Sequence, residues 1–256
     1  MSLADKLVPT TKTSMIATIL GDAGLGKTSL ACTFPKSIII RAEDGLQSVP
    51  EAARPAALPV VDTVADLWSQ LKMIIDEDHD YQTLIIDSVT ALERLFERHI
   101  VDTDKNKPLS INQALGGYGA GPKGVGILHQ RVRKAAGILN AKKNMNVVFI
   151  GHATTEKVEL PDQDPYTRYS MRLGKHSIAP YSDDSDLVGF MKLRTFVKGE
   201  KDETKKAISD GSRVLVCYAT AANISKNRYG ITQDLPVKIG TNPLAQYLGA
   251  NNKEEV

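Results

Sequence analysis

The octapeptide Gly21-Asp22-Ala23-Gly24-Leu25-Gly26-Lys27-Thr28 constrains this chain more than any other stretch of it. It matches the spacing G-x-x-x-x-G-K-[ST], which works in one setting: a glycine-rich turn between a buried strand and a helix. The setting is present. Residues 15–20 form an apolar run of strand length, and residues 27–33 have helical character. The glycines let backbone N–H groups converge on phosphate oxygens, and the start of a helix favours the same charge. The pattern predicts that residues 21–28, with Ser29 behind them, bind a nucleotide, expected to be ATP. Lys27 is expected on the β- and γ-phosphates, and the Thr28 hydroxyl on Mg²⁺.

The rest of the chain continues the strand–helix alternation. Short β-branched runs lie at 37–40, 83–86 and 146–150, and helical segments at 64–75, 90–100 and 126–142. Such alternation implies right-handed crossovers and a mainly parallel sheet flanked by helices. Beyond residue 185 the pattern changes. Segments 187–197, 212–219 and 235–239 read as strands with polar turns between them, an antiparallel extension of the same sheet. The expected fold is α/β, with one domain over 14–243, an arm at 1–13 and a tail at 244–256. With 256 residues, 42% of them apolar, the chain can bury a core of that size. Its 32 basic and 30 acidic residues nearly cancel, so overall charge says little about partners. Cys32 and Cys217 stand far apart and match no metal spacing. A signal peptide and a run of the roughly 18 apolar residues needed to span a bilayer are both lacking. A reduced, soluble, cytoplasmic protein without a membrane partner is expected.

Two carboxylates stand where chemistry on a triphosphate needs them. The strand at 83–86 ends on Asp87, where a carboxylate can hold the water shell of Mg²⁺ or, alternatively, cap the next helix. Hydrolysis also needs a group that orients or deprotonates a water in line with the γ-phosphate. Ser88, directly after Asp87, cannot serve. The tip of the strand at 37–40 offers Glu43 instead, whose plainer reading is a solvated loop acid.

The residues around these carboxylates resemble those of RecA-type recombinases. Ile40-Arg41-Ala42-Glu43 and Ile86-Asp87-Ser88-Val89-Thr90-Ala91-Leu92 look like the corresponding strand ends. Arg133-Lys134-Ala135-Ala136-Gly137-Ile138-Leu139 and Val147-Val148-Phe149-Ile150-Gly151-His152 continue the match in the same order. The likeness covers about residues 12–240 and implies a bare RecA-like P-loop core, similar to small phage-encoded recombinases that promote single-strand annealing. Such a protein works in the bacterial host cytoplasm. In the family a polar residue, commonly Gln, ends this last strand and senses the γ-phosphate. Here it is His152, which can still donate a hydrogen bond and, as Gln cannot, take up a proton. A histidine that merely ends a strand is the plainer alternative. Ser225-Lys226-Asn227-Arg228-Tyr229 resembles the family's paired basic residues, which reach a neighbouring subunit's ATP. On an extended segment Lys226 and Arg228 point to one side; a solvated basic turn is the plainer reading.

Two long segments, 103–125 and 153–183, break the alternation and read as functional loops. From Lys105 to Lys143 there are eight basic residues and no acidic one. This stretch holds the glycine-rich loop, with Tyr118 and Lys123 at its centre and Arg131 further on. The second segment carries Tyr166, Arg168, Tyr169, Arg172 and Lys175. Flexible backbone, cations and aromatic faces suit single-stranded DNA, and the family's DNA channel is lined by loops at these positions. The resemblance thus implies an ATPase acting on single-stranded DNA by annealing or strand exchange. It would assemble as a homo-oligomeric filament or ring, with a single-strand binding protein as a further partner. The alternatives are a helicase- or packaging-type DNA motor and a KaiC-like switch that binds ATP but no DNA.

Overall fold

The computed structural model describes residues 14–198 and 206–249. The expected arm at 1–13 and residues 250–256 lie outside that range. The parallel part of the sheet comprises β1 (Ile16–Gly21), β2 (Ser37–Arg41), β3 (Ala56–Val60), β4 (Thr83–Asp87), β5 (Asn146–Leu160) and β7 (Leu187–Lys198), with β3 at its exposed edge. These pair in parallel, with β1 between β5 and β7. An antiparallel flank of β8 (Lys206–Val216), β9 (Lys226–Asn227) and β10 (Leu235–Val237) follows, in the order β10-β8-β7-β1-β5-β4-β2-β3, with β9 also on β7. The parallel part has two strands more than the sequence predicts: β3 pairs with β2 at the edge, and β7 joins β1 in parallel before β8 turns back.

Strand side chains alternate between two layers. Leu20, Ile40, Leu84, Ile86, Val147 and Phe149 face α2 (Val64–Asp76), α3 (Val89–Thr103) and α4 (Ala120–Lys143). Ala17, Ile19, Ile39, Ile85, Val148 and Ile150 face the short α1 (Lys27–Ala31), the turns at 46–53 and the C-terminal segment. Leu244 and Leu248 are buried in that second layer, so the packed domain runs past the expected boundary at 243. Among the described residues no helix is long and apolar enough to cross a membrane.

Helix α4 begins six residues before the expected 126. The glycines at 121, 124 and 126 lower intrinsic helicity, while Pro122 sits in the first turn, where no N–H is needed. The largest departure concerns 153–183. This segment is no loop: β5 runs on to Leu160 and returns as β6 (Gln163–Met171), making an antiparallel ribbon. Its root is tied to the helices by buried polar contacts. His129 Nδ1 and Tyr181 Oη are 2.7 Å apart, His129 Nε2 and Glu93 Oε2 are 2.7 Å apart, and Gly174 N donates to Glu93 Oε1 at 2.9 Å. Tyr181 opens no further helix of note; it belongs to the single turn α5 (Ala179–Ser182).

Candidate nucleotide site

β1 delivers the chain into the glycine turn at Gly21, and Gly24 and Gly26 take φ of 78° and 88°, the left-handed region that glycine enters freely. The helix that follows, α1, has five residues, roughly one and a half turns. So short a helix carries little macrodipole, leaving the backbone N–H groups of the turn and Lys27 as the donors it can offer an anion. Lys27 is buried and donates to the carbonyls of Gly21 (3.1 Å) and Asp22 (2.8 Å). Burial pushes its ammonium pKa down; Asp87, Glu43 and Asp22 oppose this, and the Arg172 charge adds to the fall.

Thr28 Oγ1 donates to Asp87 Oδ2 at 2.7 Å. The helix-cap role falls to Ser88, whose hydroxyl accepts from Ala91 N at 3.2 Å, so Asp87 is left to face the turn. Burial pushes the Asp87 carboxyl up, Glu43 adds to this, and the Thr28 hydrogen bond and Lys27 oppose it. A Cβ on Gly45 would lie 2.9 Å from Asp87 Oδ2 and 3.3 Å from Thr28 Oγ1, so this glycine keeps the space before the pair open. A hydroxyl and one carboxylate beside such a gap fit Mg²⁺, which keeps water and substrate phosphates as its other ligands. Among the described residues no cluster of three or more His, Cys, Asp or Glu offers a rival metal site.

Glu43 leaves the tip of β2 and meets His152 on β5: Nε2 and Oε1 are 3.2 Å apart. Arg94 on α3 stands 3.9 Å from the other carboxylate oxygen. The His152 hydrogen bond, against the cost of burial, holds the Glu43 carboxyl down to about 2. The backbone of His152 donates to Thr90 Oγ1 at 3.0 Å, fixing the strand where it leaves the sheet. Together these groups line a cavity of about 500 Å³ that includes Ser29, Thr28, Asp87, Glu43 and His152. Arg213 on β8 also lines it, a residue that no motif marks in the sequence. Beyond Gly26 and Arg213 lies a second, more apolar space of about 270 Å³, walled by Leu30, Val49, Pro50, Val237 and Ile239.

The other expected residues disperse. Tyr118 projects fully into solvent from a left-handed backbone, φ 50°, in the turn before α4. Lys123 is exposed on the first turns of α4. Arg131 lies elsewhere, against Trp68 and Ile138 in the groove between α2 and α4. On the ribbon, Tyr166 pairs across to Val158, and Arg168 donates to Glu156 at 2.7 Å. Tyr169 stacks on Phe190 with centroids 4.8 Å apart, so one ring face is spent on the fold. Arg172 donates to Ala153 O at 3.1 Å at the ribbon root, close enough to Lys27 for its charge to be felt there. Lys175, Arg168 and Lys226 share a separate cavity of about 550 Å³. Lys226 is bonded to Asp183 O, and Arg228 donates to Asp186 Oδ1 at 2.8 Å, so the basic pair is anchored on one short segment.

A family model described as an AAA domain matches residues 13–229. No curated protein matches the sequence. Among solved structures, the crystal structure of the RadB recombinase is similar at 12% identity and a TM-score of 0.42, over 80% of this chain and 81% of that one.

Proposed function

Because the chain belongs to the AAA-domain family of P-loop proteins, we propose that it is a RecA-like, Mg²⁺-dependent ATPase that acts on single-stranded DNA in annealing or strand exchange. The observation that carries this reading is the Glu43–His152 pair lining the glycine-turn cavity, with His152 on the very strand that continues outward as the ribbon.

In this reading the triphosphate lies along residues 21–29, with the base in the apolar space walled by Val49, Pro50, Val237 and Ile239. Lys27 exchanges its two backbone carbonyls for phosphate oxygens. Thr28 and Asp87 hold Mg²⁺, which when bound neutralises charge on the terminal phosphates. Glu43, ionised through the working pH range, orients and deprotonates the attacking water. His152 donates a hydrogen bond to the γ-phosphate or to Glu43, and the exchange between these partners reports the nucleotide state to the ribbon. Lys226 and Arg228 complete the site of a neighbouring subunit, and the ribbon together with Tyr118 and Lys123 takes the DNA.

ATP turnover measured with and without single-stranded DNA tests the reading, alongside Lys27→Ala and Glu43→Ala. Stimulation by DNA is expected, with turnover lost in both variants and nucleotide binding lost only with Lys27. Turnover unchanged across a DNA titration, with no binding of DNA at low salt, overturns the DNA assignment. Unwinding of a duplex by the purified protein favours a motor instead.

A further inference from the structure

The two nucleotide spaces are not independent. The polar cavity and the apolar one share Gly26, Ser29, Ser48 and Arg213. A ligand with phosphates in the first and a flat base in the second must pass between Gly26 and Arg213. In a nucleotide the groups at that passage are the α-phosphate and the ribose.

Arg213 is built for an anion there. It comes from β8, where it pairs with Leu193 of β7 and Val237 of β10, so two neighbouring strands fix its backbone. Its guanidinium lies directly over the turn: a Cβ on Gly26 would sit 2.7 Å from Nη1. Among the described residues no hydrogen bond or ion pair engages that guanidinium, whereas Arg41, Arg54, Arg133, Arg168, Arg172 and Arg228 all have partners. A half-buried guanidinium with five donors and no acceptor is a costly thing to leave over a phosphate turn unless a ligand supplies the acceptor.

We propose that Arg213 is a nucleotide-binding residue that acts within its own subunit, clamping the α-phosphate from the antiparallel flank of the sheet. The assignment rests on the reading of residues 21–29 as a nucleotide site. It makes β8 and β10 part of that site, so that nucleotide binding fastens the flank to the glycine turn. Arg213 serves bound ATP and ADP alike, since both carry the α-phosphate. This separates it from the pair Lys226 and Arg228, expected to respond to the γ-phosphate of a neighbour.

Arg213→Met and Arg213→Lys test this, with dissociation constants for Mg-ATP and Mg-ADP measured by calorimetry and melting temperatures taken with and without nucleotide. Arg213→Met is expected to weaken both nucleotides by the same factor, about tenfold, as for loss of a charge-assisted hydrogen bond. The melting temperature of the free variant is expected to match wild type, because among the described residues the guanidinium has no partner to lose. Arg213→Lys, which keeps the charge without the fork, is expected to recover part of the affinity. Unchanged affinity in Arg213→Met overturns the proposal while leaving the nucleotide site standing. A loss confined to ATP also overturns it, by moving the contact to the terminal phosphate. If wild type binds neither nucleotide, the reading of residues 21–29 fails and Arg213 with it.

Discussion

At the scale of single residues, the question is why Glu43 stays charged in a half-buried site beside a second carboxylate. The hydrogen bond from His152 is the largest influence on it and more than offsets burial, holding the carboxyl at about 2 against an ordinary 4.5. A depressed value in the folded state means that Glu43 stabilises the fold above about pH 4.5, a contribution lost as pH falls toward 2. Above that window Glu43 is ionised, so any acid limb of turnover in the wild type belongs to another group. His152→Ala removes the main support. The Glu43 carboxyl is then expected to titrate higher, toward its ordinary 4.5. A carbon-13 titration of the Glu43 carboxyl checks the shift directly; an unmoved titration would sink the argument. Lys27 and Thr28 could be found in the sequence from the glycine-turn motif, and Glu43, Asp87 and His152 because each ends or closely follows an apolar run, and strand tips in a parallel sheet converge. Arg213 could not. It reaches the same cavity from a strand far along the chain that reads only as part of an antiparallel flank.

At the scale of elements, the ribbon from Ala153 to Met171 was illegible for a physical reason. A strand is recognised by an apolar face, and this pair has almost none; it is held by its own ladder, by Arg168 on Glu156 and by Tyr169 on Phe190. Replacing residues 156–168 by a tight turn is therefore expected to leave nucleotide affinity intact while abolishing binding of single-stranded DNA, as read by fluorescence anisotropy. The glycines of α4 misled in the same direction, hiding the first turns of a helix, since some serve packing. A Cβ on Gly126 would meet His176 O at 2.6 Å and His176 Cβ at 2.8 Å, where the ribbon root lies against the helix. At Gly137 the nearest obstacle is the end of the Arg133 side chain at 3.3 Å. Exchange of an internal helical glycine for alanine otherwise gains about 1 kcal/mol. Gly137→Ala is expected to raise the melting temperature, and Gly126→Ala to lower it despite the same gain in propensity. Equal shifts for the two would show that packing against His176 is not what keeps Gly126.

At the scale of the whole molecule, strand register decides which cations can serve a subunit's own nucleotide. Along β7, Met191 is level with Gly21 and Leu193 carries Arg213 just beyond it, at the end where the glycine turn lies. Lys226 pairs with Val188 on the same strand, level with Thr18, so it stands three residues back from Gly21, about 10 Å. Arg228 lies further back, bonded to Asp186. The basic pair thus stands back from its own turn, and a role at a nucleotide requires a second subunit related by a head-to-tail contact. Subunit mixing tests this without knowledge of whether the assembly is a filament or a ring. Glu43→Ala and Arg228→Ala are each expected to be inactive alone. Mixed in equal amounts they form some interfaces with an intact Glu43 on one side and an intact Arg228 on the other. Random assembly through a heterologous contact makes these about a quarter of the total, so turnover should recover to about that fraction of wild type. The Arg228 contact with Asp186 is exposed and worth little to the fold, so Arg228→Ala should melt near the wild-type temperature. A mixture no more active than its parts, from subunits shown to co-assemble, would place Arg228 outside the reaction.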